Sequence, residues 1–354
     1  NLYNCSLHFS VAFLFPKMAI PSVMVLPMLV VVFAGIYYFY NEVIHFMSKS
    51  IVRNKVVVIT DAVSAMGSVS PRASGVSSGY SSFLPQSKGM HECARLLHEG
   101  GAQLVLCGPN WDKLESLQDS LGSGSDPSKT FPPKLVLLDF SDIDSMEDVI
   151  TEISECYGYV DVLICNGSMK VKAPVQNVSL EMDKIIMDVN YFGPITLAKG
   201  ILPLMISRRT GHFVIVNSIQ GRLAIPFRTS YAASKHAVQA FFDSLRAEVE
   251  EYGISVTTIN HTFINATTQE ATPSQSQPTN ALWAYILSKL TTHGVSPKAL
   301  ACEIVRVVNR RRREVLLAHP IPWAALYIRS IMPSFFFSVV AAGVKDTAMN
   351  QQLK

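Results

Sequence analysis

The residues of this chain best suited to chemistry are Tyr231 and Lys235, four positions apart, with Ser218 thirteen positions before the tyrosine. Side chains at i and i+4 of a helix lie on one face, one turn apart. A phenol has a reference pKa of about 10, and a neighbouring ammonium favours the phenolate. A serine hydroxyl beside the phenol can hydrogen-bond a carbonyl or alcohol oxygen. The three side chains could therefore exchange a proton with an alcohol while a hydride leaves its carbon.

An isolated tyrosine–lysine pair of this spacing is more often a solvated tyrosine beside a surface cation, so the surrounding elements decide between the two interpretations. The predicted strands, which are short β-branched runs, cover 55–60, 103–107, 134–138, 161–165, 212–217 and 254–260. The predicted helices between them cover 91–100, 110–121, 142–157, 180–206 and 229–252. A Ser-Pro start predicts a further helix from Ser296 to about Val308, followed by an edge strand at 314–317. This order is typical of an α/β fold with a Rossmann-type doubly wound parallel sheet, forming a single domain over 51–320.

Composition limits the classes of partner. The 354 residues are 49% hydrophobic and 16% charged, with a mean hydropathy of +0.25, which exceeds the apolarity a soluble domain needs. A net charge of +3, without basic runs interleaved with aromatic residues, argues against a nucleic-acid partner. The six cysteines have no metal-ligand spacing, so we expect no metal and a reducing compartment around the folded domain.

Residues 18–40 carry the clearest membrane signal, because 19–40 hold no charge and are long enough to cross a bilayer as a transmembrane anchor or signal-anchor. Three basic residues follow this run and one precedes it, namely Lys49, Arg53 and Lys55 against Lys17. The positive-inside rule then places the catalytic domain in the cytosol. A cleaved signal peptide, which would make the protein secreted or lumenal, is the alternative. Since Met18 directly precedes the run, we expect residues 1–17 to be an upstream extension.

Two further segments depart from the alternation of strand and helix. Residues 68–90 contain thirteen Ser, Gly or Pro among 23 positions and fall where the first strand should pass into the first helix. We interpret them as an insertion, with a genuine surface loop as the alternative. The tail, 321–354, is apolar but interrupted by Arg329 and Pro333, so we expect it to lie on a membrane rather than cross it.

Several segments resemble the short-chain dehydrogenase/reductase family and follow in the family's order. The turn from Thr60 to Gly67 is similar to the motif TGxxxGxG, and Cys165-Asn-Gly-Ser168 stands where the family has NNAG. The resemblance implies a catalytic set of four residues, Asn190, Ser218, Tyr231 and Lys235. It implies a cofactor-binding set of Thr60, Asp61, Ser64, Gly67, Asp139, Asn166, Tyr231 and Lys235.

The resemblance also implies a role for each catalytic residue. Tyr231 would exchange the proton with the substrate oxygen, while Lys235 would lower the pKa of the phenol and bind the nicotinamide ribose. Ser218 would orient the substrate oxygen, and Asn190 would hold a water that links the lysine to solvent. The cofactor implied is NAD, with NADP as the alternative. Residues 107–110, at the end of the second strand, lack both an arginine for a 2′-phosphate and the acid that selects NAD. The absence of a positive partner favours NAD.

The phosphate-binding turn departs from the family pattern. Asp61 and Ala65 stand where the family has glycines that let the backbone approach the pyrophosphate. A carboxylate at Asp61 would repel phosphates, which predicts weakened cofactor binding. The alternative is that Asp61 points away from the cofactor and caps the following helix.

Within the family, the anchor and the tail most resemble a member of the endoplasmic or sarcoplasmic reticulum membrane. This implies oxidation of a lipophilic alcohol, all-trans-retinol, to retinal, with the region 262–292 in the substrate-lid position. The competing hypothesis is a cofactor-poor relative that acts as a membrane-bound binding or regulatory protein. A homodimer through the helices at 180–206 and 229–252 is expected by analogy with relatives.

Overall fold

The computed structural model describes residues 28, 31–40, 52–63, 85–124, 126, 128–167, 169–262, 264, 294–318 and 320–352. The predictions for 1–17, for most of 18–30, for Ser64 and Gly67, for 68–84 and for most of the lid region 262–292 lie outside the described residues. The chain divides into two compact units, residues 1–47 and residues 48–354.

The described part of the first unit is essentially one helix, α1 (Val31–Tyr40), whose side chains are all exposed. Ten residues of α-helix rise about 15 Å, which is half the thickness of a hydrocarbon core. The membrane anchor predicted for 18–40 therefore stays a prediction, because the rest of that segment lies outside the described residues.

The second unit alternates strands and helices. Its strands are β1 (Val56–Ile59), β2 (Gln103–Gly108), β3 (Lys134–Leu137), β4 (Val162–Cys165), β5 (Gly211–Ser218), β6 (Ile254–His261) and β7 (Glu314–Leu317). Its helices are α2 (Pro85–Glu99), α3 (Trp111–Ser123), α4 (Met146–Tyr157), α5 (Leu180–Met187), α6 (Gly193–Arg208), α7 (Thr229–Glu248), α8 (Pro297–Arg310), α9 (Pro320–Ile331) and α10 (Pro333–Gln352). A single turn of π-helix, Asp188–Phe192, referred to below as the π-turn, joins α5 to α6.

The seven strands form one parallel sheet in the order β3-β2-β1-β4-β5-β6-β7. This order confirms the predicted doubly wound α/β fold, including the edge strand at 314–317. The strand order reverses between β1 and β4, and such a switch point opens a crevice at the carboxyl ends of the strands.

Both faces of the sheet are covered, as parallel sheets require. Side chains alternate along β1, so Val56 and Val58 belong to one apolar core while Val57 and Ile59 belong to the other. Helices α4, α6 and α7 contribute to the first core, and α2, α3 and α8 contribute to the second. The sheet is thereby held rigid at the edge where the polar residues emerge.

The predicted start of α2 is wrong. Helix α2 begins at Pro85 rather than at residue 91, so the last six residues of the segment interpreted as an insertion belong to the helix. The reason is packing, because Met90 lies in a fully buried stripe with Cys93, Ala94 and Leu97 at helical spacing. The helix predicted for 180–206 is present as one helical stretch, Leu180–Arg208, which contains a π-helical turn at Asp188–Phe192.

The C-terminal tail consists of helices α9 and α10. Its exposed apolar side chains are Trp323, Tyr327, Ile328, Ile331, Met332, Phe335 and Phe337. Among the described residues, one helical stretch, Leu180–Arg208, is long and apolar enough to cross a membrane. Half of its most apolar part is buried in the fold.

Candidate active site

The crevice between β1 and β4 is bridged by hydrogen bonds between the segments that leave the two strands. Thr60 follows β1, and its hydroxyl oxygen accepts a hydrogen bond of 2.9 Å from the backbone N–H of Asn166. The backbone N–H of Thr60 donates to the carbonyl of Ile164 at 3.0 Å. Thr60 and Asn166 are both fully buried. These bonds fix the two segments where the fold opens its crevice.

Asp61 turns its carboxyl into this crevice. Its φ angle is 50°, in the left-handed region that favours glycine, the residue the family motif has at this position. The Nδ2 amide of Asn166 donates to Oδ2 of Asp61 at 3.2 Å. The carboxyl of Asp61 therefore faces Asn166. The alternative in which Asp61 caps the following helix stays a prediction, because residues 64–84 lie outside the described residues.

Tyr231 and Lys235 lie on the buried face of α7, with 1% and 2% of their surfaces exposed. The Nζ atom of Lys235 lies 5.8 Å from the centroid of the Tyr231 ring and donates to the carbonyl of Gly167 at 2.5 Å. Gly167 follows β4 and is closely packed, since a Cβ there would lie 2.8 Å from the carbonyl oxygen of Val189. The lysine therefore ties α7 to the segment after β4.

A second ammonium, that of Lys170, also approaches the tyrosine. Its Nζ atom lies 5.8 Å from the Tyr231 ring centroid. Burial, and then repulsion from Arg228, lower the pKa of Lys170 to about 8. Burial is also the largest cause that lowers the pKa of Lys235 to about 7, with a further decrease from Lys170 and an opposing increase from Asp61.

The pKa of the Asp61 carboxyl is shifted in the opposite direction. Burial raises its pKa to about 8, against a smaller lowering by the charge of Lys235. The crevice thus holds a carboxyl and two amino groups that each change charge within about one unit of neutrality. The charges of Asp61 and Lys170 both act on Lys235, so the proton affinities of these groups are coupled.

Ser218 ends β5 and is paired in register with His261 at the end of β6. The Ser218 hydroxyl oxygen accepts from the backbone N–H of Gln220 at 3.2 Å, which leaves its own proton available to another acceptor. His261 is buried, and its Nδ1 atom lies 2.5 Å from the carbonyl oxygen of Thr262. Burial, and then repulsion from Lys170, lower the pKa of His261 to about 3, so the imidazole is neutral.

Asn190 lies in the π-turn and has a positioning role. Its Oδ1 accepts from the backbone N–H of Met169 at 2.6 Å, and its Nδ2 donates to the carbonyl of the same residue at 2.8 Å. The amide also donates to the Ser234 hydroxyl at 2.9 Å. The side chain therefore joins the segment after β4 to α7, beside Lys235. π-turns are frequent at functional sites.

The remaining residues of the implied cofactor set are placed differently. Asp139 is exposed after β3, where its carboxylate accepts from the backbone N–H and the hydroxyl of Ser141 at 2.8 and 2.7 Å. Ser64 and Gly67 lie outside the described residues. No cluster of three or more potential metal ligands occurs in the part of the chain that the structure describes.

The crevice fits a dinucleotide at its catalytic end. The Oδ1 atom of Asn166 is buried and accepts no hydrogen bond from the described residues. A ribose hydroxyl is a donor that would satisfy such an acceptor. The ammonium of Lys235 adds a donor and a positive charge near the same segment. The poorer fit is at the phosphate turn, where Asp61 contributes a carboxyl.

Sequence reasoning assigned no role to two basic side chains and one neutral imidazole of this site: Lys170, Arg228 and His261. They follow β4, precede α7 and end β6, respectively. In a parallel sheet, the carboxyl ends of the strands meet at one edge, so Lys170 and His261 could have been found by searching that edge.

The comparison with protein families matches residues 87–277 to the family described as short chain dehydrogenase. Among curated proteins, dehydrogenase/reductase SDR family member 7C-A of Danio rerio is 70% identical over 347 residues, covering 95% of this chain and all of that one. Dehydrogenase/reductase SDR family member 7C of Homo sapiens is 51% identical over 330 residues, covering 93% of this chain and 97% of that one.

Solved structures of lower identity share the fold. A gluconate 5-dehydrogenase of Burkholderia cenocepacia J2315, in complex with NADP and tartrate, has a TM-score of 0.59 and 19% identity, covering 78% of this chain and 99% of that one. The L-sorbose reductase of Gluconobacter frateurii, complexed with NADPH and L-sorbose, has a TM-score of 0.55 and 19% identity, covering 75% of this chain and 95% of that one.

Proposed function

Because the chain belongs to the short-chain dehydrogenase/reductase family, we propose that it is a membrane-anchored oxidoreductase that interconverts a lipophilic alcohol and its carbonyl compound. The substrate pair of this proposal is all-trans-retinol and retinal. The observation that carries the proposal is the buried Tyr231 with the ammonium groups of Lys170 and Lys235 each 5.8 Å from its ring. A phenol so placed is suited to proton exchange, because nearby positive charge stabilises the phenolate.

The proton chemistry follows from the placement of the side chains. In alcohol oxidation, the Tyr231 phenolate takes the proton from the substrate hydroxyl, and in reduction the phenol returns it to the carbonyl oxygen. The Ser218 hydroxyl donates to the same substrate oxygen and orients it. Lys235 stabilises the charge on the phenolate and stays tied to Gly167. A nicotinamide held beside Lys235 would supply the hydride chemistry.

The cofactor of the proposal is NAD, with NADP as the alternative. At the end of β2, residues 107–110 offer no cation for a 2′-phosphate, and the side chain of Asn110 is used to accept from the backbone N–H of Lys113 at 2.9 Å. The alternative has support from the two solved structures named above, which contain NADP or NADPH.

The membrane part of the proposal rests on apolar surface. The side chains of α1 are exposed, as are seven large apolar side chains of the C-terminal tail. We propose that the chain is held in the membrane of the endoplasmic or sarcoplasmic reticulum, with the catalytic domain facing the cytosol. A cleaved N-terminal segment and a secreted or lumenal domain are the alternative. Anchoring would suit a substrate that is dissolved in lipid.

Turnover of retinol tests the function. Membranes that carry the chain are supplied with all-trans-retinol and NAD, and formation of retinal is compared between the parent and Tyr231→Phe. We expect the variant to lose about 10²- to 10⁴-fold in rate, because it lacks the proton acceptor. Tyr252→Phe, which lies in the turn after α7, is the matched control and should keep the parent's rate. Equal rates for the parent and Tyr231→Phe would refute the proposal.

A second candidate function is a membrane-bound binding or regulatory protein that has lost hydride chemistry. The carboxyl of Asp61 in the crevice favours it, since an ionised carboxylate there opposes a pyrophosphate. Titration of the full chain with NADH and NADPH, followed by cofactor fluorescence, distinguishes the candidates. Saturable binding supports the enzyme, and absence of binding by either nucleotide supports the binding protein.

A homodimer remains part of the proposal. The outer face of α7 carries the small side chains Ala233, Ala237, Ala240 and Ser244 at helical spacing, which permits close approach of a second copy. Light scattering of the full chain in detergent measures the mass of the assembly, and a monomer at all concentrations would exclude this part of the proposal.

A further inference from the structure

A cleft of about 580 Å³ lies outside the crevice of the active site. Its walls come from β7, from α9, from Arg222 in the segment after β5 and from His236 on the side of α7 away from the core. A volume of this size falls within the range of small-molecule sites. None of the residues assigned above to proton exchange or to cofactor binding lines it.

One side of the cleft offers hydrogen-bond donors. Arg222 pairs with Glu314 at 2.6 Å, while its Nε atom is buried and donates to none of the described residues. Arg329 is half-buried and pairs with no carboxylate among the described residues. His236 donates from Nδ1 to the carbonyl of Ala232 at 2.8 Å, so in the neutral imidazole its Nε2 atom is an acceptor and the arginines are the donors of this side.

The other side of the cleft is apolar and aromatic. Trp323 and Tyr327 are one turn apart on α9, with their ring centroids 4.9 Å apart, and both are about half exposed. Leu316 and Leu326 extend the same wall. Two arginines face one glutamate, so the cleft keeps a positive charge beside an apolar wall. Guanidinium groups favour carboxylates and phosphates because their donors match two oxygens at once.

We propose that this cleft binds a carboxylate amphiphile, with the anionic head on Arg329 and Arg222 and the hydrocarbon chain along Trp323 and Leu326. The charge of the head matches the arginine that has no carboxylate partner in the described part of the chain. The apolar wall of Trp323, Tyr327, Leu316 and Leu326 offers a hydrocarbon chain a contact that a small anion does not use. Binding at this site is independent of hydride transfer, so it can be measured whether or not the chain is an active oxidoreductase.

The test uses the fluorescence of Trp323 in the full chain held in phosphatidylcholine nanodiscs, with Trp111→Phe and Trp283→Phe leaving it as the sole tryptophan. Decanoate is the probe, decanol carries the same chain without the charge, and inorganic phosphate is an anion without the chain. We expect saturable quenching or a spectral shift with decanoate, and binding at least about tenfold weaker for decanol and for phosphate.

Variants of the cleft identify the site. Arg329→Gln should weaken decanoate binding at least about tenfold, because the head loses a charged donor. Ser330→Asp, on the exposed face of α9, places a negative charge in the cleft and should weaken binding even if Arg329→Gln fails to fold. Arg313→Gln is the matched control, since Arg313 is 76% exposed at the side chain and lies outside the cleft.

Three outcomes would overturn the proposal. Equal affinity for decanol and decanoate would show that the head is not recognised, and equal affinity for phosphate would show that the chain is not. A signal that does not saturate, and that is the same in the parent, Arg329→Gln and Ser330→Asp, would show partition into the lipid alone.

Discussion

The side chains of Asp61 and Asn166 are joined across the switch point of the sheet by a hydrogen bond of 3.2 Å, in which the amide donates to the carboxyl. The bond connects the turn after β1 with the segment after β4, where Gly167 accepts from Lys235. Asp61 has a left-handed backbone conformation, which aspartate adopts more readily than most residues other than glycine, and its carboxyl is directed at the crevice. The turn after β1 and the ammonium of Lys235 thus share one electrostatic environment.

The first prediction concerns cofactor affinity and pH. Burial raises the pKa of Asp61 to about 8, so its carboxyl is mostly neutral below that pH and ionised above it. Affinity for NADH should therefore fall as the pH rises through about 8. Asp61→Asn keeps the size of the side chain without the charge, and should bind at least about tenfold more tightly than the parent near pH 9.

Fluorescence titration with NADH at about pH 6 and about pH 9 measures this effect. The parent and Asp61→Asn should differ little at the lower pH, where the carboxyl is protonated. Parallel pH dependences of the two proteins would contradict the assigned role of the carboxyl.

The second prediction concerns the lysine that sequence reasoning missed. Lys170 lowers the pKa of Lys235, so Lys170→Met should raise it. If protonated Lys235 supports proton exchange, kcat/KM falls as the pH rises and this lysine loses its proton. The falling limb should lie at higher pH in Lys170→Met than in the parent. Lys172→Met is the matched control, since Lys172 is exposed, and the same profile for all three proteins would count against the prediction.

The third prediction concerns stability at Asn190. Removing its amide leaves the N–H and the carbonyl of Met169 without their partner, at a cost of about 1–3 kcal/mol for each buried group left unsatisfied. Asn190→Ala should therefore lower the midpoint of thermal unfolding by several degrees. Asn177→Ala, at an exposed position, should leave it nearly unchanged, and equal effects of the two variants would be inconsistent with the network.

The fourth prediction compares two glycines. A Cβ at Gly193 would lie 2.5 Å from the Phe140 ring, so Gly193→Ala should cost about 1–3 kcal/mol through overpacking. Gly122 lies in α3 with open space around it, and Gly122→Ala should stabilise the domain by up to about 1 kcal/mol through helix propensity. Denaturant unfolding measures both changes, and a gain in stability from Gly193→Ala would contradict the packing described here.

The fifth prediction tests the start of α2. Deletion of residues 68–84 keeps the whole helix, whereas deletion of 68–90 also removes Met90 from the core. Burial of a large apolar side chain contributes about 2–5 kcal/mol, so the longer deletion should unfold at a lower temperature. Differential scanning fluorimetry compares the two deletions. Equal unfolding temperatures would place residues 85–90 outside the cooperative fold.

The elements that could be predicted correctly are those that neighbouring residues in the sequence determine. The strands were predictable because β-branched runs such as Val56–Ile59 record burial on both faces of a sheet. The start of α2 was not, because Ser, Gly and Pro around residue 87 obscure the buried stripe that Met90 begins. The Ser, Gly and Pro content of the segment predicted a loop, and the one apolar residue that argued for a helix, Met90, has its buried partners further along the chain.

The site shows the same division. Tyr231 and Lys235 lie one helical turn apart, so their proximity could be predicted from their spacing in the sequence. The direction of the Asp61 carboxyl depends on Asn166, which is 105 positions away. The lowered pKa of Lys235 depends on burial and on Lys170, which belongs to another segment. Such effects arise only when the strand ends are brought to one edge.

The π-turn at Asp188–Phe192 has a consequence for how this helix can change in evolution. Each residue of an α-helix turns the chain by about 100°, so a one-residue deletion within the turn would rotate α5 against α6 by about that angle. Ile186, which is fully buried, and Asn190, which bonds to Met169, could then no longer both meet their partners. Substitutions here change one contact, whereas insertions and deletions shift the phase of the whole helix. This segment is therefore constrained in its number of residues even more than in their identity.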